Sequence, residues 1–359
     1  MEKMKSVAPY LGMVIAQTAQ VGLIIVSKEA MSNGMSKYLF VTYSNALASL
    51  ILLPTSFLAH RSNRPPLTFK LVSGFFLLGV LGCTAQVTGY AGIDYTSASF
   101  ASAMLNLIPG FTFVLAVIFR MEKVDCRTSS TIAKSIGTIV SIAGAFILTL
   151  YKGLQILMAS SSPITHYDLL NQQQSNWVLG GLFLAIDCLA ASMFIIVQAL
   201  ILKDFPADLI MVFFYCFFVA ILSAGISLVS GDNLSAWTLQ PTMRLLTILY
   251  SGIFGSALQV SLSTWCVHKK GPLFVAMFHP LGIVIAAAFN IIISKDAFYV
   301  GSLVGSILIV IGFYSVMWGK AREGKVVEDQ LRGSTYVSIA TEVENKEVKA
   351  GLVRVACRS

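Results

Sequence analysis

Asp187 stands in GGLFLAIDCLAASMFIIVQA (residues 180–199), the one acidic side chain well inside an apolar run. A lone carboxyl in such a setting can bind a proton or pair with a cation such as a substrate ammonium. The bland alternative is a protonated acid hydrogen-bonded to a neighbouring helix. Covalent chemistry needs more company than one acid. His60, His166, His268 and His279 lie far apart and lack metal-ligand spacing with acids. The six cysteines, at 83, 126, 188, 216, 266 and 357, form neither a zinc pattern nor a disulfide framework. No G-x-S-x-G elbow, P-loop or G-x-G-x-x-G turn is present. The reading is therefore no enzyme, no catalytic residue, no metal and no cofactor.

The remaining polar groups inside apolar runs are mostly neutral: Gln17, Gln20, Asn45, Gln86, Asn106, Gln198 and Gln259, with Tyr43, Tyr90 and His279. Amides carry donors and acceptors together, so they can hold a zwitterion or a weak acid without a permanent charge. Taken singly, each is explained as well by a helix–helix hydrogen bond. Seven amides spread over six apolar runs favour a shared site. Lys134 and Arg244 fall at run ends, so no basic group is expected at depth, which argues against phosphorylated substrates. Pro109 and Pro280 fall inside runs, where each is expected to free the carbonyl four residues back, at Leu105 and Ala276, and to act as a hinge.

The setting of these groups follows from composition. Of 359 residues, 56% are hydrophobic and 12% charged, against about a quarter charged in ordinary soluble domains. The apolar runs approach 20 residues, the length that crosses a bilayer as a helix. An aspartate at the centre of such a helix costs about 2.5–3.5 kcal/mol, which its apolar neighbours outweigh. At 100° per residue, Gly180, Ala191, Phe194 and Gln198 share its side of the helix. That stripe of small and polar groups points to a cavity rather than to lipid.

Ten spans can be drawn, near 9–27, 38–59, 70–91, 97–119, 131–151, 177–200, 209–229, 243–265, 272–293 and 300–319. The basic start at Lys3 and Lys5 resembles a signal peptide, but the run continues to about Val26, as a retained helix would. With both termini cytosolic, sixteen Lys and Arg residues lie inside or in the proximal tail and five outside. The net charge of +8 is thus a topology signal rather than a nucleic-acid surface. The sequon Asn233-Leu234-Ser235 falls outside under this topology.

The two sets of five spans also resemble each other. SASFASAMLN with Glu122 and GPLFVAMFHP with Asp296 are offset alike, and Gly137/Gly144 and Gly305/Gly312 are each seven apart. Five is odd, so a duplicated half must be inverted, the arrangement of many secondary transporters. The expected division is a cytosolic N-terminus (1–8), a first repeat (9–151), an extracytosolic linker (152–176), a second repeat (177–319) and a disordered cytosolic tail (320–359).

YTSASFASAMLNLIPGFTF followed by FRMEKV, then KKGPLFVAMFHPLG, YVGSLVG and YSVMWGK, resemble the signatures of one family. It is the plant nodulin-like branch of the EamA drug/metabolite transporter superfamily, which includes the UMAMIT amino-acid transporters and the Walls Are Thin auxin transporters. The resemblance runs from about residue 10 to 320. It implies an all-α membrane protein with ten helices in two inverted five-helix repeats around a central cavity. Carried over, the matches near that cavity are Tyr43, Asn45, Gln86, Tyr90, Asn106, Gln198 and Pro280. Asp187 lies outside the shared motif, and the second span reads YSN where the family often has arginine after the tyrosine.

The expectation is a plant carrier or facilitator of amino acids or similar small metabolites by alternating access. Gln17, Gln20, Gln86, Asn106 and Gln259 hold the polar ends of the substrate, and Asp187 takes an ammonium or a proton. The alternatives are an auxin or other aromatic weak-acid carrier, with Tyr43, Tyr90 and Trp265 dominating the site, and a non-transporting receptor or scaffold. Its partners are a small-molecule substrate, protons and membrane lipid, with no nucleic acid and no stated oligomeric state. The plasma membrane is the expected location, with the vacuolar membrane as alternative.

Overall fold

The computed structural model describes residues 2–32, 35–59, 68–95, 104–105, 107–121, 129–150, 155–157, 174–230, 242–289, 298–299, 304–319 and 322. Asn106, Glu122, Asp296, the sequon and nearly all of the 152–176 linker and the tail lie outside them. Before the linker come α1 (Glu2–Ser32), α2 (Lys37–Ala59), α3 (Phe69–Tyr95), α4 (Ile108–Ile118) and α5 (Ser129–Leu150). After it come α6 (Gln174–Asp204) and α7 (Asp208–Val229). The next helix starts as α8 (Thr242–Tyr250), passes through a π-helical segment (Ser251–Gln259) and ends as α9 (Val260–Lys270). Then follow α10 (Pro272–Ala276), α11 (His279–Phe289) and α12 (Val304–Gly319). A small antiparallel ribbon, β1 (Gln155–Leu157) with β2 (Phe298–Tyr299), is the one departure from an all-helical fold among the described residues.

Six of these helices are long and apolar enough to cross a membrane: Val7–Ile24, Lys37–Ser56, Phe69–Ile93, Val178–Asp204, Asp208–Val229 and Arg244–Lys270. Large apolar side chains such as Leu50, Ile118, Ile139, Val178 and Leu228 face outward, while Gln17, Asn45, Asp187 and Gln198 are buried. Apolar outside with polar inside is the pattern a hydrocarbon solvent selects, because unpaired polar groups are costly in lipid.

Helix ends carry local reasons. Pro206 follows α6, and Phe205 beside it turns into the core, 5.6 Å from the Phe75 ring. Gly271 joins α9 to α10 at φ 88°, a left-handed conformation that costs a side-chain-bearing residue strain but not glycine. Pro272 then starts α10, where its missing N–H has no intrahelical partner to lose.

Most of the packing joins helices from opposite sides of the linker: α3 with α6 and α7, α2 with α7 and the π segment, α1 with the π segment, α9 and α11, and α4 with α6 and α10. Exchanging the first set of spans with the second leaves this pairing unchanged. The glycines noted in the sequence meet directly. A Cβ built on Gly137 falls 2.7 Å from the Gly312 carbonyl oxygen, and one on Gly144 falls 2.9 Å from that of Gly305. The seven-residue spacing therefore lines two antiparallel helices, α5 and α12, at backbone contact.

The prolines differ from expectation. Pro109 is the second residue of α4, two after the N-cap Leu107, and Pro280 is the second residue of α11, after a turn at Met277 and Phe278. Both stand where a helix begins, so neither interrupts a ladder from within. The physical reason is that each run breaks ahead of its proline, which then only has to start the next segment.

Candidate functional site

The polar groups gather where α2, α3, α6, α7 and α9 meet. Asn45 on α2 donates through Nδ2 to the Val41 carbonyl (2.9 Å) and to Gln86 Oε1 on α3 (3.2 Å). Gln86 Nε2 in turn donates to the Tyr215 hydroxyl on α7 (3.0 Å). Three helices are thus tied by a chain of amides and a phenol, while the buried Asn45 Oδ1 has no hydrogen-bond donor among the described residues. Tyr215 packs its ring over Gly82 and lies 4.9 Å from the Phe194 ring. Sequence reasoning missed it because it sits within FFYCFF, where the hydroxyl is the sole signal.

Asp187 is 7% exposed, and its carboxyl abuts α3 at Gly89, where an added Cβ would fall 2.8 Å from Oδ2. A glycine at that point leaves room for the carboxyl. Among the described residues no hydrogen-bond donor reaches Asp187. Tyr90, one residue after Gly89, lies within electrostatic reach of Asp187, bonds Ser27 of α1 and sets its ring edge-to-face against Phe40. Asp187, Gly89 and Tyr90 thus form one cluster on α3 and α6.

Gln198 shares the Asp187 face of α6, as the helical periodicity requires, but eleven residues place it roughly 16 Å along the axis. There its Nε2 donates to Thr264 Oγ1 on α9 at 2.7 Å, and the Thr264 hydroxyl donates to the Val260 carbonyl. That is a bridge between two helices rather than an arm of the Asp187 cluster. Gln17 is buried on α1, its Oε1 where a Cβ on Gly282 of α11 would fall, 2.7 Å away. Gln20, Tyr43, Gln259 and His279 are half-buried on α1, α2, the π segment and α11.

Near the helix breaks, α6 supplies donors to α4 and the residues before it. The Cys188 thiol donates to the Met104 carbonyl (3.1 Å), and the Ser192 hydroxyl donates to those of Ile108 (3.2 Å) and Cys188 (2.7 Å). The expected freed carbonyl was Leu105; the carbonyls that receive side-chain donors from α6 are Met104 and Ile108. Lys134 also departs from expectation. Although near the start of α5, it is 1% exposed, its stem packed where a Cβ on Gly319 would fall.

A cavity of about 440 Å³ opens where α6 and α9 end, lined by Met121, Leu202, Lys203, Pro206, His268 and Lys270 among others. None of the sequence-derived site residues lines it. Beside it His268 Nδ1 lies 2.8 Å from Asp208 Oδ1. Among the described residues no group of His, Cys, Asp and Glu could hold a metal ion.

Comparison with known proteins fits this arrangement. Residues 8–150 match the EamA-like transporter family. Three WAT1-related proteins of Arabidopsis thaliana are 45%, 42% and 40% identical over 92%, 90% and 90% of this chain, and the alignments span 90%, 89% and 92% of their own lengths. One solved crystal structure superposes with a TM-score of 0.65, covering 88% of this chain and 98% of its own at 15% identity, a likeness of fold.

Proposed function

The chain belongs to the WAT1-related branch of the EamA-like transporters, a membrane transporter and not an enzyme; from that premise we propose a secondary carrier or facilitator of amino acids or similar small metabolites that works by alternating access. In this reading ten helices form two inverted repeats with both termini in the cytosol, and the plasma membrane is the site of action. The observation that carries the substrate class is Asp187: a buried carboxyl beside a glycine gap, with no donor among the described residues. A substrate ammonium or a proton supplies the missing partner. Gln17, Gln20, Asn45, Gln259 and His279 line the path toward it and meet the polar ends of the substrate. Gln198, held by Thr264, fixes α6 against α9.

A second reading, an aromatic weak acid such as auxin, draws on Tyr90 within electrostatic reach of the same carboxyl and on Phe40 packed edge-to-face against Tyr90, aromatic surface that suits a ring. The two are separated by purified protein in liposomes with labelled amino acids and auxin, with and without a pH gradient. Amino-acid flux that Asp187→Asn abolishes or uncouples from pH supports the first reading. Auxin flux unaffected by that substitution supports the second, and absence of both fluxes from folded protein sinks both.

A further inference from the structure

The helices α3 and α8–α9 carry the same eight-residue pattern, G-x-x-G-x-x-x-Q. It reads GVLGCTAQ at 79–86 and GIFGSALQ at 252–259, a constant offset of 173. The first glycine of each copy plays a matching part, while the second does not: a Cβ on Gly82 would strike Tyr215 of α7 and one on Gly255 would strike Leu23 of α1. A Cβ on Gly79 would strike Phe218 of α7 (2.5 Å), and one on Gly252 would strike Leu47 of α2 (2.7 Å). Exchange of the two halves therefore maps Phe218 onto Leu47, and three residues earlier it maps Tyr215 onto Ser44.

The duplicated glutamines are not used alike. Gln86 is bonded at both ends of its amide, to Tyr215 and to Asn45. Gln259 has no hydrogen bond among the described residues, and the hydroxyl of Ser44, the counterpart of Tyr215, is buried without a partner. The π segment ends at Gln259 and packs on α2, which carries Ser44. A π-helical stretch is an α-helix with an extra residue per turn, and relaxing it rotates everything on one side of it.

We propose that Gln86 and Gln259 are a reciprocal pair of gating residues. In the state seen here Gln86 is clamped by Tyr215 and Gln259 is released. In the oppositely open state Gln259 engages α2 at Ser44 and Gln86 lets go of α7. The physical logic is the duplication itself. Two pseudo-equivalent halves have two low-energy arrangements related by the pseudo-two-fold exchange, and this structure shows one, with one glutamine satisfied and two polar side chains on the other side waiting for each other. The exchange rests on the alternating-access reading, but it concerns populations of two conformations and is measured without flux.

The test is electron–electron distance measurement between spin labels on Lys70→Cys and Lys269→Cys, exposed positions at the end of the bundle where the cavity opens. The four described native cysteines are buried, and Cys126 and Cys357 are replaced by serine. In nanodiscs, Gln86→Met and Tyr215→Phe shift the two-state ratio one way, by roughly threefold to tenfold, the size of one interhelical hydrogen bond in a membrane. Gln259→Met and Ser44→Ala shift it the other way, and Gln86→Met with Gln259→Met returns it toward the parent. Opposite shifts support the switch even if no substrate flux is found, in which case the transport reading alone fails. Shifts of one sign, or a ratio unmoved by the four variants, overturn the switch whatever the flux. Should Gln86→Met fail to fold, Tyr215→Phe and Ser44→Ala carry the comparison, since each removes a single hydroxyl.

Discussion

Gly312→Ala tests the seam between α5 and α12 most sharply. The new methyl would lie 2.5 Å from the Gly137 carbonyl oxygen, 2.5 Å from the Ser141 nitrogen and 2.8 Å from Ser141 Cβ. Two of these neighbours are backbone and cannot swing away, so relief requires the helices to part by about 1 Å to regain ordinary contact. A radial gap of that size forfeits a quarter to a half of each atom pair's dispersion energy along the seam. The expected loss is about 1–3 kcal/mol, the usual range for overpacking. Gly137→Ala meets the Gly312 oxygen at 2.7 Å and Val316 Cγ2 at 2.8 Å, so it forces the same separation. The double variant should therefore cost distinctly less than the sum of the two. Gly225→Ala is the control: nothing lies within 4 Å of its added methyl, and helix propensity gains up to about 1 kcal/mol. Unfolding of purified protein in detergent reads all four. Wild-type stability in Gly312→Ala, or strict additivity in the double variant, would refute the backbone contact.

Other outcomes follow from the site. Asp187→Asn keeps size and burial, so folding yield should hold while the pH dependence of uptake disappears; an unchanged profile in liposomes removes the proton role. Gly89→Val fills the gap beside Asp187 and should remove the pH dependence of uptake as Asp187→Asn does, while the same change at Gly225 should not. Gln198→Leu breaks the bond to Thr264 and should lower stability by about 0.6–2 kcal/mol with the KM of uptake unmoved. A raised KM at wild-type stability would return Gln198 to the substrate path.

Spans are the most readable part of such a chain, because a run of hydrocarbon either is or is not long enough to cross a bilayer. α2, α3, α6 and α7 start and stop within a few residues of where hydropathy places them. Gly137, Gly144, Gly305 and Gly312 could be read as a pattern, though not as one seam, since spacing names no partner. The prolines misled for a definite reason. In an unbroken apolar run nothing distinguishes a proline that kinks a helix from one that starts the next, and Pro109 and Pro280 do the latter. The π segment leaves no mark in composition, and Tyr215 hides among phenylalanines. Asp187 was legible as an oddity, but its contact with Gly89 was not, because α3 and α6 are brought together by packing alone.

The same exchange that pairs the glutamines leaves Asp187 without an equal. It carries Gly92 onto Trp265 and, since Gly92 would meet Leu184 while Gly12 faces Trp265, it carries Leu184 onto Gly12. Three residues on, Asp187 falls onto Ile15, an exposed aliphatic side chain. Under the proposed two-repeat arrangement the neutral, hydrogen-bonding part of the site recurs but its charge does not. A second acid at that point would add an insertion cost of about 2.5–3.5 kcal/mol on a side chain that faces outward, away from the buried site. A single acid has a different consequence for the proposed cycle. On the proposed reading the amides trade partners between states, while the ammonium or proton has one counter-charge throughout, carried by α6. That reading requires Asp187 to stay in reach of the substrate from both sides, with the glutamines as the groups that alternate around it.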